Sequence, residues 1–154
     1  MSRPITLLID ADACPVKEEC YRVAGRYGLE VRVVTNSFLR VPVSETVKLI
    51  VVSDGFDAAD DWIAGQADAH SIVITADILL AERCLKAGAR VLAPTGKAFD
   101  AASIGGAIAT RAILQDLRDT VVGGPASGPP PFSKADRSNF LQALDREAVA
   151  MSAR

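Results

Sequence analysis

The chain has 154 residues, with 17 Lys+Arg against 19 Asp+Glu, 49% hydrophobic residues and 5% aromatic ones. A net charge of −2 excludes a globally basic, salt-driven nucleic-acid footprint, and so few rings exclude a single-strand platform built mainly on stacking. The length suits one compact domain that needs neither disulfides nor a structural metal.

Residues 1–9 hold no apolar stretch long enough for a secretory signal, and Asp10 ends the run. No window approaches the roughly 20 apolar residues of a membrane span. Cys14, Cys20 and Cys84 form no CxxC pair and His70 is the single histidine, so no zinc site is expected. A reduced, cytoplasmic setting follows. Asp outnumbers Glu thirteen to six, and many Asp adjoin apolar runs.

In chain order, Ile5–Ile9 reads as a buried strand. Pro15 suits a first helical turn, Val16–Tyr27 follows with helical spacing, and Gly28 reads as its C-cap. Strands are predicted at Val31–Thr35, Lys48–Ser53, Ser71–Thr75 and Ala89–Ala93, with helices at Asp57–Ala67 and Ile78–Ala87, the latter ended by Gly88. Continuous apolar strands alternating with helices predict an α/β fold with a mainly parallel sheet between helical layers. A helix is predicted over Ala101–Leu117. A Gly/Pro linker follows within 121–132, and a last helix over Ser133–Met151 has Ser133 as N-cap and Asp136 in its first turn. The division is thus 1–120, 121–132 and 133–154.

In an open parallel sheet, ligands bind beyond the carboxyl ends of the strands. Asp10 ends the first strand and Asp12 lies just beyond, Asp54 follows the third, and Asp77 follows the fourth. Asp57, Asp60 and Asp61 share one face near the start of a helix. Asp54 and Asp57 read as well as turn and cap residues, and acid near a helix N-terminus has a dipole reason of its own. An Asp closing Ile5–Ile9 is costly to bury without a partner. Two carboxylates 4 Å apart repel by about 4 kcal/mol at an effective dielectric near 20. A group of them protonates, spreads, or holds a cation, and an oxygen-only ligand set suits Mg²⁺ or Mn²⁺. The chemistry that fits is metal-assisted attack of water on a phosphodiester.

Arg111 and Arg118, with Lys134 and Arg137, offer a basic rim for a nucleic-acid backbone, or ordinary solvated helix charge. Cys14 adjoins Pro15 at a helix N-terminus, where its pKa tends to fall, though packing is its default role. Thr95-Gly96-Lys97 lacks the spacing of a phosphate-binding P-loop.

Asp60-Asp61-Trp62-Ile63-Ala64 and Val73-Ile74-Thr75-Ala76-Asp77 resemble the acidic helix and strand-end acid of PIN-like nucleases. More closely, the chain resembles the bacterial YaiI/YqxD family, relatives of PIN domains. The resemblance runs through Asp10-Ala11-Asp12-Ala13-Cys14-Pro15-Val16-Lys17, the Asp60 and Asp77 motifs, Pro94-Thr95-Gly96-Lys97, Pro130-Pro131-Phe132 and Asp136-Arg137-Ser138-Asn139-Phe140. It implies a PIN-like α/β/α fold and catalytic Asp10, Asp12, Asp60 and Asp77. Of these, Asp10, Asp60 and Asp77 hold Mg²⁺ or Mn²⁺, and Asp12 assists the attacking water. Where PIN nucleases often carry a further acid, this chain has Pro94–Lys97 with Asp100 slightly later. Lys97, Arg111 and Arg137 are the candidates for substrate contact. RNA, or DNA less readily, is the expected substrate, without a membrane partner, and homo-oligomerisation stays open. Two alternatives stand beside the nuclease. One is a phosphatase resembling the haloacid dehalogenases, with Asp10 as nucleophile, Asp12 as acid and Thr35 on phosphate. The other is a non-catalytic binding module.

Overall fold

The computed structural model describes residues 4–11, 14–53, 55, 57–102, 104 and 132–152. Asp12, Asp54, Arg111, Arg118, most of the expected 101–117 helix and nearly all of the Gly/Pro linker lie outside those residues.

The strands are β1 (Thr6–Asp10), β2 (Glu30–Thr35), β3 (Val47–Val51), β4 (Ser71–Ile74), β5 (Arg90–Leu92) and β6 (Ala98–Phe99). The helices are α1 (Lys17–Tyr27), α2 (Ala58–Gln66), α3 (Ile78–Lys86) and α4 (Lys134–Ser152). The strands form one sheet in the order β3-β2-β1-β4-β5-β6, parallel except for β6. Every predicted strand and helix among the described residues is present, displaced at its ends by a residue or two.

Alternation along buried strands builds the layers. Leu7, Ile9, Ile72 and Ile74 pack with Cys20 and Val23 of α1 and with Phe140 and Leu144 of α4. Leu8 and Val73 point the other way, onto Ile63 of α2 and Leu80 and Cys84 of α3. The result is a three-layer α/β/α architecture carrying a C-terminal helical extension. Among the described residues, no helix is long and apolar enough to cross a membrane.

Three local features differ from the sequence reading or extend it. The β2–β3 link, residues 36–46, contains no helix, and Leu39 and Val41 cover the α1-side core in its place. β6 is a two-residue strand beyond the reach of periodicity. Its turn is closed by Ala93 N–H donating to the Lys97 carbonyl and Gly96 N–H to the Ala93 carbonyl, both at 2.9 Å. Gly96 has φ +92°, and a Cβ there would stand 2.7 Å from the carbonyl carbon of Asn139. The turn therefore requires glycine, both for its backbone and for the close approach of α4.

α4 begins with a reciprocal cap: Asp136 N–H donates to Ser133 Oγ and Ser133 N–H to Asp136 Oδ2, each at 3.1 Å. It docks through buried Phe140, Ala143, Leu144, Ala148 and Met151. Polar ties flank that stripe. Tyr27 donates to Asp145 at 2.7 Å, and Arg90 pairs with Glu147. The core keeps all three thiols buried. For Cys14 this reverses the expectation from sequence: burial pushes its pKa up, outweighing the backbone hydrogen bond at Val16.

Candidate active site

The chain reverses its strand order between β1 and β4, with α1 on one face of the sheet and α2 and α3 on the other. This is the switch point at which an open α/β sheet leaves a crevice beyond its strand ends. Asp10 occupies the last position of β1, with the same side-chain parity as Leu8, so it faces the α2–α3 layer. Ile9 pairs with Ile74, and one step further the register brings Asp10 beside Thr75.

Thr75 is 2% exposed and its hydroxyl links two of the candidate acids. Oγ1 donates to Asp10 Oδ2 at 2.9 Å and accepts from Asp77 N–H at 3.0 Å. Because the Asp77 amide uses a lone pair of the oxygen, the single hydroxyl proton is committed to Asp10. Asp77 is the N-cap of α3: its Oδ1 accepts from Leu79 N–H at 2.9 Å and Leu80 N–H at 3.2 Å. The cap orients this carboxylate as much as it starts the helix.

Asp60 comes from the first turn of α2 and is partly buried. Its pKa is pushed up to about 6, first by burial, then by the charges of Asp77, Asp10 and Asp57. Those electrostatic causes show that acids from β1, α2 and the start of α3 bear on one another. Asp61, one residue on, turns away to Arg83 of α3 at 2.9 Å. Asp57 stands at the N-cap position of α2 without capping it: its φ is +64° and its side chain makes no cap bond. The capping expectation for Asp57 is thus corrected, and its charge adds to the repulsion at Asp60.

The candidate substrate contacts separate. Lys97 is exposed in the β5–β6 turn, at the same sheet edge. Arg137 gives Nη1 to Glu19 Oε1 at 2.8 Å and to the Pro15 carbonyl at 2.9 Å, with its guanidinium 5.1 Å from the Phe132 ring centre. Glu19 is 6% exposed, and a carboxylate so buried needs a counter-charge, which explains the commitment. Thr35, buried at the end of β2, accepts from Ser37 N–H through its hydroxyl.

Thr75 escaped the sequence reading as a site residue. Its signal was a hydroxyl immediately past a fully buried strand, visible as functional only once β1 is known to lie alongside.

Residues 8–150 match the family described as "Uncharacterized BCR, YaiI/YqxD family". The chain belongs to that family. This YaiI/YqxD member is 67% identical over 149 residues to the UPF0178 protein of Sphingopyxis alaskensis, covering 97% of this chain and 96% of that one. It is 51% identical over 148 residues to the UPF0178 protein of Azorhizobium caulinodans, covering 96% and 92%. It is 54% identical over 143 residues to the UPF0178 protein RC1_2062 of Rhodospirillum centenum, covering 92% and 93%. No solved structure matches the YaiI/YqxD chain.

For a metal, the test is the donor set. Asp10, Asp60 and Asp77 offer only carboxylate oxygens, the chemistry of a hard divalent cation. Among the described residues, however, no group of three His, Cys, Asp or Glu is gathered closely enough to hold an ion. The donors suit Mg²⁺ or Mn²⁺ in kind, and Asp12 lies outside the described residues.

Proposed function

We propose that this protein is a divalent-metal-dependent nuclease that hydrolyses RNA phosphodiesters, with DNA the less favoured substrate. The observation that carries this reading is the Thr75 hydroxyl, which ties Asp10 of β1 to the start of α3 at the switch point, beside Asp60. In this reading Asp10, Asp60 and Asp77 would hold Mg²⁺ or Mn²⁺ on drawing closer together than they stand in this structure, and the ion would supply positive charge for the phosphate and a more acidic water. The chain's own residues do the rest. Thr75 holds Asp10 in one orientation, and the α3 N-terminus does the same for Asp77. Burial and the neighbouring acids raise the pKa of Asp60 to about 6, so a bound cation would favour its charged form and relieve the repulsion among the acids. Asp12 orients the attacking water, and Lys97 at the same sheet edge meets the phosphate backbone. Arg111 is the remaining candidate contact.

The test is cleavage of single-stranded RNA by chelator-treated protein with and without added Mn²⁺. Asp77→Asn is the decisive variant, because asparagine caps a helix as well as aspartate does and the fold is kept while the charge goes. Cleavage requiring metal and abolished in Asp77→Asn is the expected result. Unchanged cleavage in that variant overturns the assignment. Metal binding by calorimetry without turnover of RNA or of phosphomonoesters replaces it with a non-catalytic module.

A further inference from the structure

The helix-free link between β2 and β3 leaves the sheet at the same edge as the aspartates. Val34 pairs with Asp10, Thr35 ends the strand, and Ser37 N–H is tied back to Thr35 Oγ1 at 3.3 Å. From Thr35, three residues span at most about 11 Å, so Phe38 stays within that distance of the carboxyl end of β2. Burial alternates along the segment. Leu39 and Val41 pack against the α1-side core, while Phe38 is 83% exposed and Arg40 is exposed beside it. In an extended segment, residues two apart point the same way about 7 Å apart. An aromatic ring and a guanidinium are thus presented together on a ledge anchored from beneath.

We propose that Phe38 and Arg40 bind single-stranded nucleic acid, the ring stacking on a base and the guanidinium pairing with a backbone phosphate. This rests on the nucleic-acid substrate proposed above and names the part of the protein that grips it. Charge supports the choice of occupant. Arg26, Arg32, Arg83, Arg90 and Arg137 each pair with a carboxylate, whereas Arg22, Arg40 and Arg146 make no ion pair among the described residues, and of these three Arg40 alone follows a strand's carboxyl end. A polyanion approaching the acids meets repulsion, which an unpaired cation on the same protein counters. One ring is no stacking platform, but base–aromatic stacking tolerates any base and suits a strand held without sequence readout.

The experiment measures anisotropy of a labelled oligouridine with the full chain in chelator, where the proposed cleavage is suppressed. Phe38→Ala weakens binding about tenfold, the effect of losing one stacked base, while Phe38→Trp retains it and its emission is quenched on binding. Arg40→Gln reduces the slope of log affinity against log salt by about 0.7, the loss of one phosphate contact on a single strand. Both side chains are exposed, so urea midpoints stay at the wild-type value. Wild-type affinity and salt slope in both variants overturn the ledge and leave the nuclease reading standing. Absence of binding by the wild-type protein overturns the ledge, and the metal-dependent cleavage assay decides the nuclease reading separately. Val43 and Val51 are also exposed near the β3 edge. If Phe38→Ala converts a dimer to a monomer by light scattering without changing oligouridine affinity, the ledge covers a second copy of the chain and the proposal fails.

Discussion

The Thr75 hydroxyl stands 2.9 Å from Asp10 Oδ2 and donates to it. Sixty-five positions apart in sequence, the two meet because β1 and β4 are neighbours in the sheet. The same oxygen accepts from Asp77 N–H, so one buried side chain orients an acid and fixes the start of a helix.

Replacing Thr75 by Val keeps the shape but removes the acceptor of Asp77 N–H and one hydroxyl donor to Asp10. Losing such buried partners costs about 1–3 kcal/mol. Urea unfolding of Thr75→Val should show a loss of that order, and Thr75→Ser should recover most of it. A Thr75→Val midpoint equal to wild type refutes the structural role of the bond.

Asp60 predicts a pH signature. Its folded pKa, about 6, lies above the ordinary aspartate value of 3.8, so the folded state holds this proton more tightly than the unfolded chain. The stabilisation is fully present below about pH 4 and is lost as pH rises through about 6. In chelator, Asp60→Asn should therefore gain stability relative to wild type across that window and hold the gain at neutral pH. Mn²⁺ should raise the melting temperature of wild type more than that of the variant. Thermal melts at pH 4, 5, 6 and 7 read both effects, and parallel curves for the two proteins would contradict the shift.

Gly96 predicts the strength of α4 docking. Gly96→Ala places a side chain at φ +92° and a Cβ 2.7 Å from the Asn139 backbone, so the turn or the helix must move. The strain alone is worth about 1–3 kcal/mol. The expected outcome is a lowered melting temperature with faster proteolysis of α4 than of the sheet. Wild-type protection of α4 would show that the close approach is not maintained in solution.

Much of the fold was legible in local pattern. Apolar runs such as Ser71–Ile74 and glycine stops such as Gly28 need only neighbouring residues to declare a strand or a helix end, and both stand where predicted. The β6 strand was not legible, nor was the packing of the β2–β3 link, although its lack of a helix was. Two residues carry no period, and Leu39 and Val41 look like any loop apolars until the core they cover exists. At the site, Asp10, Asp60 and Asp77 could be named from strand ends and helix faces. Thr75 could not, and Arg137 read as a substrate contact, whereas it is paired with buried Glu19.

The sequence by itself determined the element types, the aspartates at the strand ends and membership of the family, because each depends on residue identity and short spacing. Tertiary structure alone decided the strand order and which acids bear on Asp60. It also decided the pairing of Thr75 with Asp10 and of Arg137 with Glu19, and the upward shift of Cys14 where position had predicted a downward one. The reason is physical. Periodicity is a property of residues joined by the chain, whereas a pKa or a buried hydrogen bond depends on the water excluded and the charges met when distant segments pack.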